Sequence, residues 1–144
     1  MKKLSTAVVF ATIIFAVACS SSKKVSKSAT ALAQNNWQLY SIGTSQASAS
    51  EGGKMPSLSF DAQNMKVSGN AGCNNFTGTF KVDKEKLSFG DVASTKMACP
   101  DMVTEGNFLS ALSKTATFSM YQEKLVLKDA NGTQLMSFDP IKKQ

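Results

Sequence analysis

The sequence predicts a mainly β domain, α+β in class, with about eight short antiparallel strands and one helix. Three observations carry that expectation. Apolar and polar residues alternate along several short segments, most clearly at Phe76, Gly78, Phe80 and Val82, with Thr77, Thr79 and Lys81 between them; a period of two puts one set on one face of a strand. Turn-forming residues separate these segments, as at Asp61 to Asn64 and at Asn131-Gly132, where short polar side chains and glycine accept turn geometry. Only one segment, following Pro100, has helical spacing.

In chain order, Trp37 to Ile42 reads as the first strand and Gly43 to Lys54 as a Ser/Gly-rich loop. Leu58 and Phe60 alternate with Ser57 and Ser59, and Met65 with Val67 resumes the pattern after the turn. Leu87 and Phe89 follow the Phe76 to Val82 strand. Phe118 with Met120, Leu125 with Leu127, and Leu135 to Phe138 supply three more strands. Asn131-Gly132 predicts a type I′ hairpin between the last two, because both central residues of that turn need positive φ. The helix is expected to begin at Pro100, with Asp101 and Glu105 favouring its positive end. Phe108, Leu109 and Leu112 lie three, four and seven residues after Glu105 and form an apolar stripe. The expected core is Trp37, Leu58, Phe60, Phe80, Phe89, Phe108, Leu109, Leu112, Leu125 and Leu127.

The first 18 residues read as an address. Met1-Lys2-Lys3 is basic, Val8 to Val17 is apolar, and small residues Ala16 and Ala18 precede Cys19. The apolar run falls short of the about 20 residues that span a bilayer, and the order matches a cleavable signal. The stretch is similar to a bacterial lipobox, with alanine at position 16 where leucine is usual. That similarity implies a diacylglycerol on the Cys19 thiol, cleavage before it and palmitate-type acylation of the new amino group; several acyl chains make a stable anchor. Ser20, where sorting to the inner membrane would favour Asp, points to the outer membrane. Residues 19–34 are rich in Ser, Ala, Lys and Thr and read as a flexible tether. The domain is then expected over 35–140, with a tail at 141–144.

Composition removes several functions. The net charge is +6 and all 16 basic residues are lysines. Seven of them fall in the signal, the tether and the tail, leaving the domain near neutral. Nucleic-acid binding needs clustered cations, usually with arginine at base edges, so no nucleic-acid partner is expected. The sequence has no histidine, which excludes the usual Ser-His-Asp and Cys-His hydrolases and removes the commonest metal ligand. No metal or cofactor is implied.

Two motifs stand out. Gly69-Asn70-Ala71-Gly72-Cys73-Asn74-Asn75-Phe76 packs residues that tolerate positive φ around a cysteine, and no dinucleotide-type glycine spacing is present. Ala93-Ser94-Thr95-Lys96-Met97-Ala98-Cys99-Pro100 leads to the helix. With Cys19 lipidated, Cys73 and Cys99 remain in an oxidising compartment, which favours a disulfide; two buried free thiols are the alternative.

Together with Trp37-x-Leu39 and Glu105 ahead of Phe108-Leu109-x-x-Leu112, these motifs resemble the META domain, also described as the HslJ-like heat-shock lipoprotein family. The resemblance covers about Asn35 to Phe138 and departs at Lys96, where arginine is frequent. It implies a small barrel-like antiparallel fold carrying one helix, and an association with heat shock, envelope integrity and tolerance of novobiocin-like antibiotics. It supplies no reaction or ligand. The expected function is a membrane-anchored, non-enzymatic envelope lipoprotein, with an unidentified protein or small molecule as partner. The alternatives are a small-ligand or partner-binding periplasmic module, an enzyme using Glu105 and Asn74, and a redox module using Cys73 and Cys99. Asn74, Lys96 and Glu105 form the candidate ligand or partner site.

Overall fold

The structure, a computed structural model, describes residues 25–49, 53–100 and 102–142. The expected signal and the expected lipidation at Cys19 fall outside the described residues. The first element is helix α1 (Lys27–Ala33). Nine strands and a second helix follow: β1 (Asn35–Ile42), β2 (Ser45–Gln46), β3 (Ser57–Asp61), β4 (Lys66–Asn70), β5 (Asn75–Asp83), β6 (Lys86–Ser94), α2 (Val103–Lys114), β7 (Thr117–Tyr121), β8 (Lys124–Lys128) and β9 (Gln134–Lys142).

All strand pairings are antiparallel, and each strand from β3 onward pairs with the next in the chain. β1 pairs with β3 on one side and with β9 on the other, from Asn35↔Lys142 to Ile42↔Met136. Eight strands therefore close into a ring, and β2 is a two-residue annex on β1. The narrowest seam is between β6 and β7, where Lys86↔Thr117 is the pairing. Closure pairs the first and last strands of the ring, which would be the free edges of an open sheet, and leaves the two-residue β2 paired on one side.

The ring interior is filled by large side chains. Trp37, Phe80, Phe108, Phe138, Leu58, Leu125 and Leu127 are almost wholly buried. Phe60 meets Phe80 edge-on at 5.1 Å between ring centroids, and Phe108 bridges Phe76 and Phe138, geometries that suit the ring quadrupoles. Of the expected core, only Phe89 and Leu109 are partly buried, packed against its margin.

α2 touches β6 on one side of the ring and β1 and β9 on another, so it lies across one end. α1 touches β3 and β5 and closes the opposite end. This corrects the expectation of a tether extending to residue 34. Ser26 caps α1 by accepting from the Ala29 N–H at 3.1 Å, as N-cap serines do. Ala29 and Leu32 are buried, and the Trp37 indole donates to the Leu32 carbonyl at 2.8 Å. β9 likewise runs to Lys142, past the expected boundary at 140.

Three local expectations are also revised. β2 forms inside the segment read as a loop. α2 begins at Val103 rather than at Pro100, with Met102 at its N-cap. At Asn131-Gly132 only Gly132 has positive φ. Asp129 instead organises a longer loop, its carboxylate accepting from the Asn131 and Thr133 N–H groups. The turn with positive φ at both central residues is Gln122-Glu123, between β7 and β8.

Candidate functional site

The bend from β4 to β5 is shaped by two glycines and two asparagines. A Cβ on Gly69 would collide with the Ser57 carbonyl oxygen, and Gly72 has φ +125°. Asn70 accepts from the Gly72 N–H at 2.8 Å, and its amide donates to the Asn75 side chain at 3.1 Å. Ala71 N–H donates to the Asn74 carbonyl at 2.8 Å. This turn directs the Asn74 side chain inward, where it is 1% exposed.

Asn74 is the hub of a clasp joining three segments. Its backbone N–H donates to Glu105 Oε2 at 2.8 Å, and its Nδ2 lies 3.1 Å from each Glu105 carboxylate oxygen. Nδ2 also donates to the Met97 carbonyl at 3.1 Å. Its Oδ1 accepts from Thr95 Oγ1 at 2.7 Å and from the Met97 N–H at 2.8 Å. Glu105, in the first turn of α2, is 5% exposed. The carboxylate is thus satisfied by the bend of another segment, and hydrogen bonds to an ionised group are the stronger kind.

Cys73 and Cys99 form a disulfide beside the clasp, with Cα atoms 6.1 Å apart. The bond and the Asn74 network hold the β4–β5 bend against the segment leading to α2. Cys99 precedes the first residue of α2 by four positions, outside the helix turn that would stabilise a thiolate. Lys96 does not join the cluster. It is exposed and forms no ion pair or hydrogen bond among the described residues, although its neighbours Thr95 and Met97 both contact Asn74. The site read from sequence therefore brings Asn74, Glu105, Cys73 and Cys99 together and leaves Lys96 outside. Its polar atoms bond one another, and its chemistry is that of a structural joint.

A second feature escaped the sequence reading. A trough of about 960 Å³ crosses the outside of the ring where β1, β9 and β8 run side by side. Its lining includes Tyr40, Ser41, Tyr121, Lys124, Gln134 and Ser137. The register of β1 against β9 shifts between Leu39 and Ser41, and such bulges re-aim side chains. Lys124 Nζ lies 3.7 Å from the centre of the Tyr40 ring and pairs with the Asp139 carboxylate. Ser41 and Ser137 face each other with hydroxyl oxygens 2.6 Å apart, both nearly buried. Tyrosines, serines and a glutamine dispersed over 98 positions form no local pattern, so only the strand pairing reveals the trough.

Among the described residues no helix is long and apolar enough to cross a membrane, and no three His, Cys, Asp or Glu side chains cluster to hold a metal.

Comparison with known proteins follows the same lines. A family model described as META domain matches residues 30–140. No curated protein matches the chain. A protein from Burkholderia xenovorans, solved by NMR, superposes with a TM-score of 0.61 at 23% identity, covering 99% of this chain and 100% of that one. Another NMR structure gives 0.62 at 22% identity, covering 78% and 93%. A crystal structure of a DUF4847 family protein from Bacteroides vulgatus gives 0.54 at 13% identity, covering 78% and 96%. At these identities the structures show a shared fold. The family match spans most of the ring and takes in both cysteine motifs, Asn74 and Glu105: the chain belongs to the META domain family.

Proposed function

We propose that this protein is a lipid-tethered, non-enzymatic module of the bacterial cell envelope, anchored through Cys19 in the outer membrane, facing the periplasm, and contributing to tolerance of envelope stress and of novobiocin-like antibiotics. The observation that carries the reading is the order Lys2-Lys3, an apolar run, Ala16-Val17-Ala18 and then Cys19, followed closely by a folded domain. Five residues, 20–24, separate Cys19 from the first described residue. At about 3.5 Å per residue they reach roughly 20 Å, so a lipid on Cys19 would hold the domain close to the bilayer surface. The disulfide fits an oxidising compartment. The non-enzymatic reading is supported by the Asn74–Glu105 clasp, because the carboxylate that an enzyme would use is buried and already accepts hydrogen bonds.

Two measurements test this. Wild-type protein is expected to sediment with membranes and to carry acyl mass, whereas Cys19→Ser gives unlipidated precursor or soluble protein. Acylated, membrane-bound Cys19→Ser protein would refute the anchor. A deletion strain is expected to be more permeable and more sensitive to novobiocin; a barrier and drug profile equal to the parent's would refute the envelope role.

A further inference from the structure

We infer that the trough across β1, β9 and β8 is a binding site for an uncharged glycan chain. The inference relies on the envelope reading only for where such a glycan would be met; the binding itself is a property of the domain.

The strand pattern puts the trough outside the core. Ser137 lies between Met136 and Phe138, and Val126 between Leu125 and Leu127; these four neighbours are buried in the ring interior. Ser137 and Val126 therefore sit on the outer face. Lys124 over the Tyr40 ring places Tyr40 on that face as well.

Chemistry narrows the ligand. Lys124, the cation in the lining, is held by Asp139 and by the Tyr40 ring. The trough thus offers neither sign of charge freely, which disfavours anionic and cationic ligands. Its remaining polar lining is hydroxyls and amides: Ser41, Ser137, Thr44, Thr133, Gln46 and Gln134. Such groups both donate and accept, matching a ligand whose own surface is dense in groups that do both.

A buried donor is also left over. The Ser41–Ser137 pair has two hydroxyl hydrogens and uses one between the two oxygens. Gln134 Nε2 approaches Ser41 Oγ as a further donor at 3.4 Å. The second hydroxyl hydrogen has no acceptor among the described residues, on side chains only 6% and 5% exposed. A buried donor without an acceptor is costly, and a ligand hydroxyl or carbonyl in the trough would satisfy it.

The aromatic rings complete the match. Tyr121 is 66% exposed, and its side chain makes no hydrogen bond, ion pair or ring contact among the described residues. Tyr40 is 43% exposed. Rigid, amphipathic rings in a cleft whose lining mixes apolar surface with hydroxyls and amides suit a ligand with apolar C–H faces and polar edges, which describes a pyranose ring. An extended peptide is disfavoured, because strand addition needs a free sheet edge: the floor of the trough lies within the closed ring, and the unpaired side of β2 at its border is only two residues long.

The test is an NMR titration of the full chain, ¹⁵N-labelled and solubilised in a detergent without a sugar head group. Chitotetraose and maltotetraose serve as uncharged probes, and tetragalacturonate as a charged one. Saturable shifts at the amides of Ser41, Val126 and Ser137 with at least one uncharged probe are expected, with weaker binding of the charged one. Tyr121→Ala should weaken binding by roughly two- to tenfold, the range set by one aromatic contact, with the remaining spectrum unchanged. Absence of shifts at those amides up to the solubility limit of both uncharged sugars would overturn the proposal. So would shifts centred elsewhere, equal binding of tetragalacturonate, or undiminished binding by Tyr121→Ala. None of these outcomes bears on lipidation of Cys19, so the two readings fail separately.

Discussion

Replacing Asn74 by alanine tests whether the clasp is structural. The substitution keeps the backbone N–H bond to Glu105 and deletes everything made by the carboxamide: the bonds from Thr95 and Met97 to Oδ1, and those from Nδ2 to Met97 and Glu105. Ordinary hydrogen bonds contribute about 1 kcal/mol net each, and one to an ionised group about 1.5–3 kcal/mol. Glu105 is 5% exposed and would lose its side-chain partner without gaining free access to solvent. Partial relaxation of the bend offsets some of the loss, so the expected destabilisation is about 3–5 kcal/mol. Urea unfolding of the oxidised protein reads this as a lower midpoint at unchanged slope. A loss below about 1 kcal/mol would mean that the network adds little beyond the disulfide and would refute the reasoning. Asn74→Asp sharpens the test by setting a second carboxylate against Glu105. Two like charges in a site this buried repel without solvent to screen them, so this variant should be less stable than Asn74→Ala at neutral pH. An Asn74→Asp protein no less stable than Asn74→Ala would contradict the placement of the two side chains.

Three further outcomes follow from other parts of the fold. Cys73→Ser with Cys99→Ser should cost about 3.5 kcal/mol in the chain-entropy account for a sequence separation of 26, and an unchanged urea midpoint would show that the bond does not constrain the unfolded chain. Leu32→Ala should cost about 2–5 kcal/mol, since Leu32 is fully buried; a negligible change would detach α1 from the domain. Asp61 should titrate below the ordinary carboxylate value, because the Asn64 side chain and then its backbone N–H hydrogen-bond the charged form. Its contribution to stability is full above the unfolded pKa of about 3.9 and is lost as the pH falls through the lower folded value. Carboxyl NMR should show that midpoint rise in Asn64→Ala, and an unmoved midpoint would count against the hydrogen bond.

The strands were legible because alternation is enforced wherever one face meets a core: Phe76 to Val82 and Leu125 to Leu127 fall in β5 and β8 as expected. The helix α1 was not. Its seven residues contain one large apolar side chain, Leu32, among Lys, Ser, Thr and Ala, a composition shared with linkers. Its stability comes from packing against β3 and from the Trp37 bond rather than from helical spacing. The start of α2 was misplaced because proline suits a first turn in general, whereas Pro100 sits next to the disulfide in the segment before the helix. Asn74 and Glu105 could be singled out by residue type, but their meeting depends on a bend and a helix 31 positions apart. Lys96 was grouped with them by proximity along the chain, which places its neighbours in the clasp but leaves its own side chain outside.

Ring closure through β1 and β9 also governs when the fold can form. Asn35 pairs with Lys142, so the first strand waits for the last before the circuit is complete. Contacts of such sequence separation form late, since the intervening chain must be ordered or looped before they contribute. A polypeptide emerging from a ribosome or a translocation channel therefore cannot assemble this ring until β9 has cleared the exit, and stays threadable until then. Hydrogen exchange on nascent chains halted before Gln134 would show this as unprotected amides in β1, while protection there equal to that of the finished protein would mean that β1 is secured without its closing partner. For a protein passed through a membrane as an extended strand, the order in which residues arrive would itself postpone the knotting-up of structure until transit is over.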